Sequence, residues 1–346
     1  MSNNSLNENL SKQSKKKILY LSFNYDSQYF SVGLDEGFKI YKTHPFSLTI
    51  DRKLNGGIGI IEMLNQSNIF CLVGGGSNPK YKLNKLLIWD DSKCKNIHEF
   101  RFNSFVRNCK IKLKKIFVVC EESITIIEIE NFNILETIQT IENPNGICAI
   151  SKNPNEYLFA WPDFVKGKIE IKNYKYFIRE SLNKNRLIKQ VHESYIEQIE
   201  INYNGDLIAT ASDKGTIIRI FKTENLNLIN EFRRGNTDAK IYSICFDISN
   251  KFFAVASDKQ KIHIFSLEQE KKNKGYFNAF SKIVGLGDIL NRSVCYLLDE
   301  ENVKKKITFY GKDNCLISIN YNGNYIMGNF YVNNKFKNIK NLSIFN

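Results

Sequence analysis

Apolar and polar residues alternate along most of this chain in short runs separated by turns. Leu207-Ile208-Ala209-Thr210-Ala211-Ser212 leads into Asp213-Lys214-Gly215 and then into Thr216-Ile217-Ile218-Arg219-Ile220-Phe221. Phe252 to Phe265 repeats that form with one residue fewer, and Tyr29 to Tyr41 carries it near the N-terminus. Each unit is an apolar run, a small residue, an Asp-centred turn and an alternating strand that ends in an aromatic. A period of two predicts strands rather than helices. Multi-stranded units recurring every roughly 40 to 50 residues predict a β-propeller. Dividing 346 residues by seven blades gives about 49 per blade, inside that range. The expected blades start near Ile18, Gly57, Val106, Gly146, Tyr195, Ile241 and Lys306. The fold class is therefore all-β, a seven-bladed propeller of WD-like repeats. Residues 17–346 are expected to form one domain, because a single blade cannot bury both faces alone. Residues 1–16 are polar and rich in Asn, Ser and Lys, as in a disordered tail.

Charge adds a partner class. The net charge is +13 and the sequence pI is near 9.2, which suits nucleic acid or an acidic membrane surface. The competing explanation is a compositional bias toward Lys and Asn. No interleaving of aromatic and basic residues favours base stacking, so nucleic acid is not the expected partner. Eight cysteines, Cys71, Cys94, Cys109, Cys120, Cys148, Cys245, Cys295 and Cys315, are dispersed and sit mostly in apolar strands, where free Cys acts as a small hydrophobe. There is no Cys-x-x-Cys, no zinc spacing with the four histidines, no signal peptide and no membrane-spanning run. Gly74-Gly75-Gly76 lacks the Gly-Lys-Ser/Thr ending of a phosphate loop and reads as a blade turn. Nothing clusters as a catalytic Ser/His/Asp, Cys/His or carboxylate pair. The expectation is a cytoplasmic, non-enzymatic protein without cofactors, monomeric in solution.

The chemistry concentrates at Phe232-Arg233-Arg234-Gly235, at the end of an expected strand. Successive strand side chains point to opposite faces, so Arg233 and Arg234 serve two separate pockets rather than one anion. Arginine suits phosphate because its planar fork donates two parallel hydrogen bonds and keeps its charge. An arginine pair of this kind is otherwise an ordinary solvated strand end. Both guanidinium groups are expected at the surface.

Several motifs together resemble the PROPPINs, the WIPI-type, autophagy-related propellers that bind polyphosphoinositides. They are Gly56-Gly57-Ile58-Gly59-Ile60-Ile61-Glu62, Val73-Gly74-Gly75-Gly76-Ser77-Asn78-Pro79-Lys80, Ile88-Trp89-Asp90-Asp91, Glu142-Asn143-Pro144-Asn145-Gly146, Ala211-Ser212-Asp213-Lys214-Gly215-Thr216 and the Phe-Arg-Arg-Gly stretch. The likeness covers residues 17 to 335. It implies seven blades and two head-group pockets on the rim, for phosphatidylinositol 3-phosphate and phosphatidylinositol 3,5-bisphosphate. It also implies a protein-membrane adaptor in autophagosome formation and endosomal or vacuolar traffic. The protein would then sit peripherally on autophagosomal precursor, endosomal or vacuolar membranes.

On that reading one pocket, between blades 4 and 5, uses Arg233 with Ser212, Lys214, Thr216 and Arg219. The other, between blades 5 and 6, uses Arg234 with Ser257, Lys261 and His263. Ser212 and Ser257 can equally satisfy turn backbone beside Asp213 and Asp258. Arg219 and His263 occupy matching strand positions and can equally be blade-edge residues bonded to neighbours. His192 is a weaker candidate. Gln260-Lys261 stands where the family has small or hydroxyl residues, so Lys261 either substitutes charge for a hydroxyl or points away. An insert in blade 6, about 268–291, carries Tyr276, Phe277, Phe280, Ile283 and Val284 beside lysines, a mixture that suits the bilayer interface. The alternative is a loop folded back on the propeller. Family likeness also implies a lipid-transfer partner at blades 2 and 3, with Pro79-Lys80-Tyr81-Lys82 as the candidate surface. The reading from a different class is a protein-protein scaffold that binds no lipid.

Overall fold

The computed structural model describes residues 17–155, 157–174, 186–267, 295–298, 302–311, 314–331 and 335–345. Alternation is realised there as seven four-stranded antiparallel sheets, each with its strands in sequence order. Blade 1 spans 18–53, blade 2 58–101, blade 3 106–139, blade 4 149–190, blade 5 196–233, blade 6 241–298 and blade 7 305–343. The first strands of neighbouring blades touch one another, so they form the inner ring and the fourth strands form the rim. No helix occurs among the described residues.

Each sheet is apolar on both faces because each face meets another blade. The buried side chains divide into seven clusters, one per seam between blades. At the seam of blades 5 and 6, Phe232 lies 4.8 Å from the ring of Phe253 and 5.3 Å from that of Phe265. Burying one such side chain contributes about 1.5–3 kcal/mol. The pairing of inner and second strands slips by a residue near the start of the inner strand in blades 1, 2, 3, 5 and 6. Such bulges increase local twist, which the ring geometry uses.

Ring closure needs no shared strand. Blade 1 is built wholly from the N-terminal part of the described chain and blade 7 wholly from the C-terminal part. Their seam is held by packing of Leu21, Phe30 and Val32 against Ile317, Tyr325 and Met327. Buried hydroxyls tie it: Tyr325 donates to the Thr43 carbonyl at 2.9 Å, Tyr41 donates to the Ile344 carbonyl at 2.8 Å, and the Ser27 and Thr308 hydroxyls are bonded at 2.7 Å.

The glycine run is structural. Gly75 crosses Gly59 so closely that a Cβ at Gly75 would stand 2.4 Å from the Gly59 Cα. The backbone amides of Gly75 and Lys80 both donate to the Gly57 carbonyl, at 3.1 and 3.0 Å. The glycines thus let the loop after Val73 lie on the start of the inner strand of blade 2.

Candidate functional site: the two faces of the outer strand of blade 5

The outer strand Leu228–Arg233 pairs with Ile217–Lys222, placing Arg233 opposite Ile217, Phe232 opposite Ile218 and Glu231 opposite Arg219. Alternation then sorts the side chains. Phe232 turns to blade 6 and into its core, whereas Glu231 and Arg233 share the other face with Arg219.

That other face meets blade 4. Arg219 donates through Nε to Glu231 Oε2 at 2.7 Å and through a terminal nitrogen to the Val191 carbonyl at 2.7 Å. The same nitrogen lies 3.4 Å from His192 Nδ1, while His192 Nε2 lies 3.0 Å from the Thr210 hydroxyl. Arginine can only donate, so Nδ1 accepts and the ring proton sits on Nε2, directed at Thr210. Burial, then the Arg219 charge, pushes the His192 imidazole down to about 4. His192 is therefore neutral at pH 7. Ser212 is buried two residues beyond Thr210, and Lys214 and Arg233 are exposed at the same end. Thr216 is partly exposed, and its carbonyl accepts from the Arg234 amide at 2.8 Å.

On the blade 6 side Arg234 is only 6% exposed, which corrects the expectation that both arginines lie at the surface. Its Nε donates to the Gly215 carbonyl at 2.7 Å, and a terminal nitrogen donates to the Thr237 carbonyl. The physical reason is the connection to blade 6, which folds back over the strand end; the Ala239 amide reaches the Lys214 carbonyl at 3.0 Å. Burial pulls the Arg234 pKa down, against the opposing fields of Asp258 and Asp238. His263 is pushed down to about 4 by burial, then by Arg234 and Lys261, so it stands close to Arg234. Lys261 is exposed, and the Ser257 hydroxyl accepts from the Lys259 amide at 3.3 Å, as a turn-stabilising serine does. Beside this groove Glu197, Asp213, Asp238 and Asp258 line a cavity of about 290 Å³ with Lys240.

Of the expected residues, Arg219 is thus held in a bonded cluster with His192, and Arg234 is brought to His263. Thr210 and Glu231 belong to the first cluster and were not singled out from sequence. The signal for both was register, since each stands directly opposite Arg219. The segment with Tyr276, Phe277, Phe280, Ile283 and Val284 lies outside the described residues. Pro79, Lys80 and Lys82 are exposed on the loop of blade 2, with Tyr81 partly buried.

The PROPPIN family model matches residues 18–298. Autophagy-related protein 18 of Dictyostelium discoideum is 33% identical over 261 residues, covering 75% of this chain and 68% of that protein. SVP1-like protein 2 of Neurospora crassa is 35% identical over 251 residues, covering 72% of this chain, and the match spans little more than half, 56%, of the Neurospora protein. Among solved structures, Kluyveromyces lactis Hsv2 superposes with a TM-score of 0.79 at 23% identity, over 95% of this chain and 99% of that one. KlAtg21 in complex with the coiled coil of AgAtg16 gives 0.75 at 24% identity, over 94% and 99%.

Proposed function

The chain belongs to the PROPPIN family, and from that premise we propose that it is a phosphoinositide effector. It binds phosphatidylinositol 3-phosphate and phosphatidylinositol 3,5-bisphosphate and couples membranes to protein partners in autophagosome formation and endosomal or vacuolar traffic. The observation that carries this reading is one strand that sends two adjacent arginines to two different seams, where Arg219 lies against the neutral His192 on the Arg233 side and His263 is held neutral on the Arg234 side. A head-group phosphate carries a charge of about −1.5 to −2. The groove of blades 4 and 5 offers it Arg233 and Lys214 at the rim, with Ser212 and Thr216 hydroxyls nearby. The groove of blades 5 and 6 offers Arg234 from beneath, with Lys261 exposed above and Ser257 and His263 at its side.

The insert 268–291 enters the reading on its sequence: Tyr276, Phe277, Phe280, Ile283 and Val284 supply apolar anchorage beside lysines. Two pockets and one anchor on a rigid ring convert later contacts into intramolecular ones, which raises apparent affinity by about 10² to 10⁴. The segment Pro79-Lys80-Tyr81-Lys82, with Pro79, Lys80 and Lys82 exposed, is the surface this reading assigns to a lipid-transfer partner at blades 2 and 3. Support for a protein partner in general comes from KlAtg21, whose structure contains a coiled coil of AgAtg16.

The test is flotation of the full chain with liposomes containing phosphatidylinositol 3-phosphate, against liposomes lacking it. Arg233→Thr should weaken flotation and Arg233→Thr with Arg234→Thr should nearly abolish it. Phe277→Asp with Phe280→Asp should release the protein from liposomes while soluble head-group binding persists. Equal flotation with and without the lipid would leave the scaffold reading standing instead.

A further inference from the structure

A cavity of about 240 Å³ lies on the propeller axis, lined by residues from all seven blades. Its charged lining is four lysines, Lys110, Lys112, Lys152 and Lys306, against two glutamates, Glu62 and Glu200. The glutamates are already engaged. Glu62 Oε1 accepts from Lys110 Nζ at 2.6 Å, from the Tyr20 hydroxyl at 2.5 Å and from the Ser22 hydroxyl at 2.8 Å. Glu200 Oε1 lies 3.6 Å from Lys152 Nζ. Lys112 donates to the carbonyl of Ser151 and, at 2.9 Å, to its hydroxyl.

Lys306 is different. It stands half-buried on the inner strand of blade 7, and its ammonium makes no hydrogen bond or ion pair with a described residue, although the fields of Glu200 and Glu62 reach it. Ser243, on the inner strand of blade 6, also faces the cavity. Its Oγ accepts from the Ile307 amide at 3.4 Å, so the hydroxyl proton is available to donate. Lysine charges gathered around one cavity repel one another, and a half-buried ammonium with no bonded counter-charge is only partly compensated.

We propose that the axial cavity binds a small dianion of the phosphate class, held chiefly by the Lys306 ammonium and the Ser243 hydroxyl. Four lysines against two glutamates leave two positive charges, which a phosphate neutralises and a single carboxylate does not. Tetrahedral oxygens also accept donors from several directions at once, as an axial site surrounded by blades requires. Burial, then the neighbouring charges of Lys110 and Lys304, hold the Lys306 ammonium down to about 8 against the opposing fields of Glu200 and Glu62. This site is separate from the rim grooves, and the proposal does not rest on the membrane reading.

The experiment is thermal melting of the full chain titrated with sodium phosphate and, separately, with glycerol 3-phosphate. Wild type, Arg233→Thr and Lys306→Met are compared. Phosphate also stabilises proteins by exclusion from their surface, and Lys306→Met reports that background. Wild type and Arg233→Thr should show a saturable rise of several degrees above it at a large excess of ligand. Lys306→Met should lose the saturable part yet still float with liposomes, which separates failure here from failure of the rim reading. A stronger response to glycerol 3-phosphate assigns the site to phosphomonoesters, and a stronger response to phosphate assigns it to the free ion; either sustains the proposal. A variant-free arm measures acetylation of Lys306 by acetic anhydride, read by peptide mass spectrometry, so a misfolded Lys306→Met leaves the question decidable. Phosphate should protect Lys306 and leave reactive the exposed Lys95 of blade 2, which belongs to neither rim groove. An equal saturable rise in Lys306→Met, no saturable rise in wild type, or no protection of Lys306 overturns the proposal.

Discussion

The two grooves beside the outer strand of blade 5 draw on one arginine pair, yet only one of them leaves its arginine in water. Toward blade 4, Arg233 is exposed, and beneath it Arg219 is fastened to Glu231, Val191 and His192. Toward blade 6, Arg234 is buried and spends its donors on the carbonyls of Gly215 and Thr237. The electrostatic settings differ too. Asp238 and Asp258 act on Arg234, and the cavity alongside adds Glu197 and Asp213. Strand alternation decides which groove an arginine enters, but the opposing wall decides whether it is a recognition group, a structural clamp or both. Arg234 stitches the turn at Gly215 to the connection at Thr237, and under the proposed function it would meet an anion from that position.

The largest expected effect follows from that difference. Arg234→Thr should lower unfolding stability by about 1.5–3 kcal/mol, since hydrogen bonds from a charged group to buried carbonyls are lost. Arg233→Thr should stay within about 0.5 kcal/mol of the parent, as surface substitutions do. Urea unfolding midpoints of the two variants, read beside their liposome flotation, test the contrast. Equal midpoints would remove the clamp from Arg234.

Acid should act on the histidines next. His192 has a folded pKa near 4 against an unfolded value of about 6.5, so the unfolded chain takes up its proton first. That stability is present above about pH 6.5 and is lost as pH falls toward 4. From pH 7 to 5 the loss is about 2 kcal/mol for this buried ring. His192→Asn should flatten the slope, which denaturation at stepped pH measures. A parent whose stability does not fall over that interval would contradict a buried neutral His192.

A smaller effect is expected at Glu231. Glu231→Gln removes the exposed partner of Arg219 at a cost under about 1 kcal/mol. It also removes a carboxylate from the groove of blades 4 and 5, so binding to phosphoinositide liposomes should rise a few-fold, most visibly at low salt. The smallest is Ser257→Ala, which takes an acceptor from the Lys259 amide and should cost about 0.5–1 kcal/mol with little change in flotation. A large loss of flotation would instead move Ser257 from turn support to ligand contact.

Much of the ring was legible because its blades repeat one grammar. Leu207–Ser212 and Phe252–Ser257 alternate and end in Ser-Asp turns, and both became second strands of their blades. Blade 4 was harder to place: its inner strand is the two residues Ala149–Ile150, and the expected start at Gly146 falls three residues early. Arg233 and Arg234 could be assigned to opposite faces from their adjacency alone. The burial of Arg234 could not, because it depends on how residues 235–240 return over the strand, a path set by long-range bonds such as Ala239 to Lys214. Lys110 and Lys306 were equally hidden. On an alternating strand they look like ordinary polar positions, and only closure of the ring turns their faces toward one another.

The seam between blades 1 and 7 gives the ring the mechanics of a split washer. No backbone ladder crosses the cut, so hoop tension there is carried by apolar packing, two tyrosine hydroxyls and the Ser27–Thr308 hydroxyl pair rather than by a row of amide bonds. Every other junction has the chain itself as a strap between neighbouring blades. A pull that widens the ring therefore loads these side-chain links at the seam, where no covalent strap shares it. Blades 5 and 6, the ones that hold the arginine strand, lie away from that cut, and a ring that gapes at its seam can still present both grooves intact.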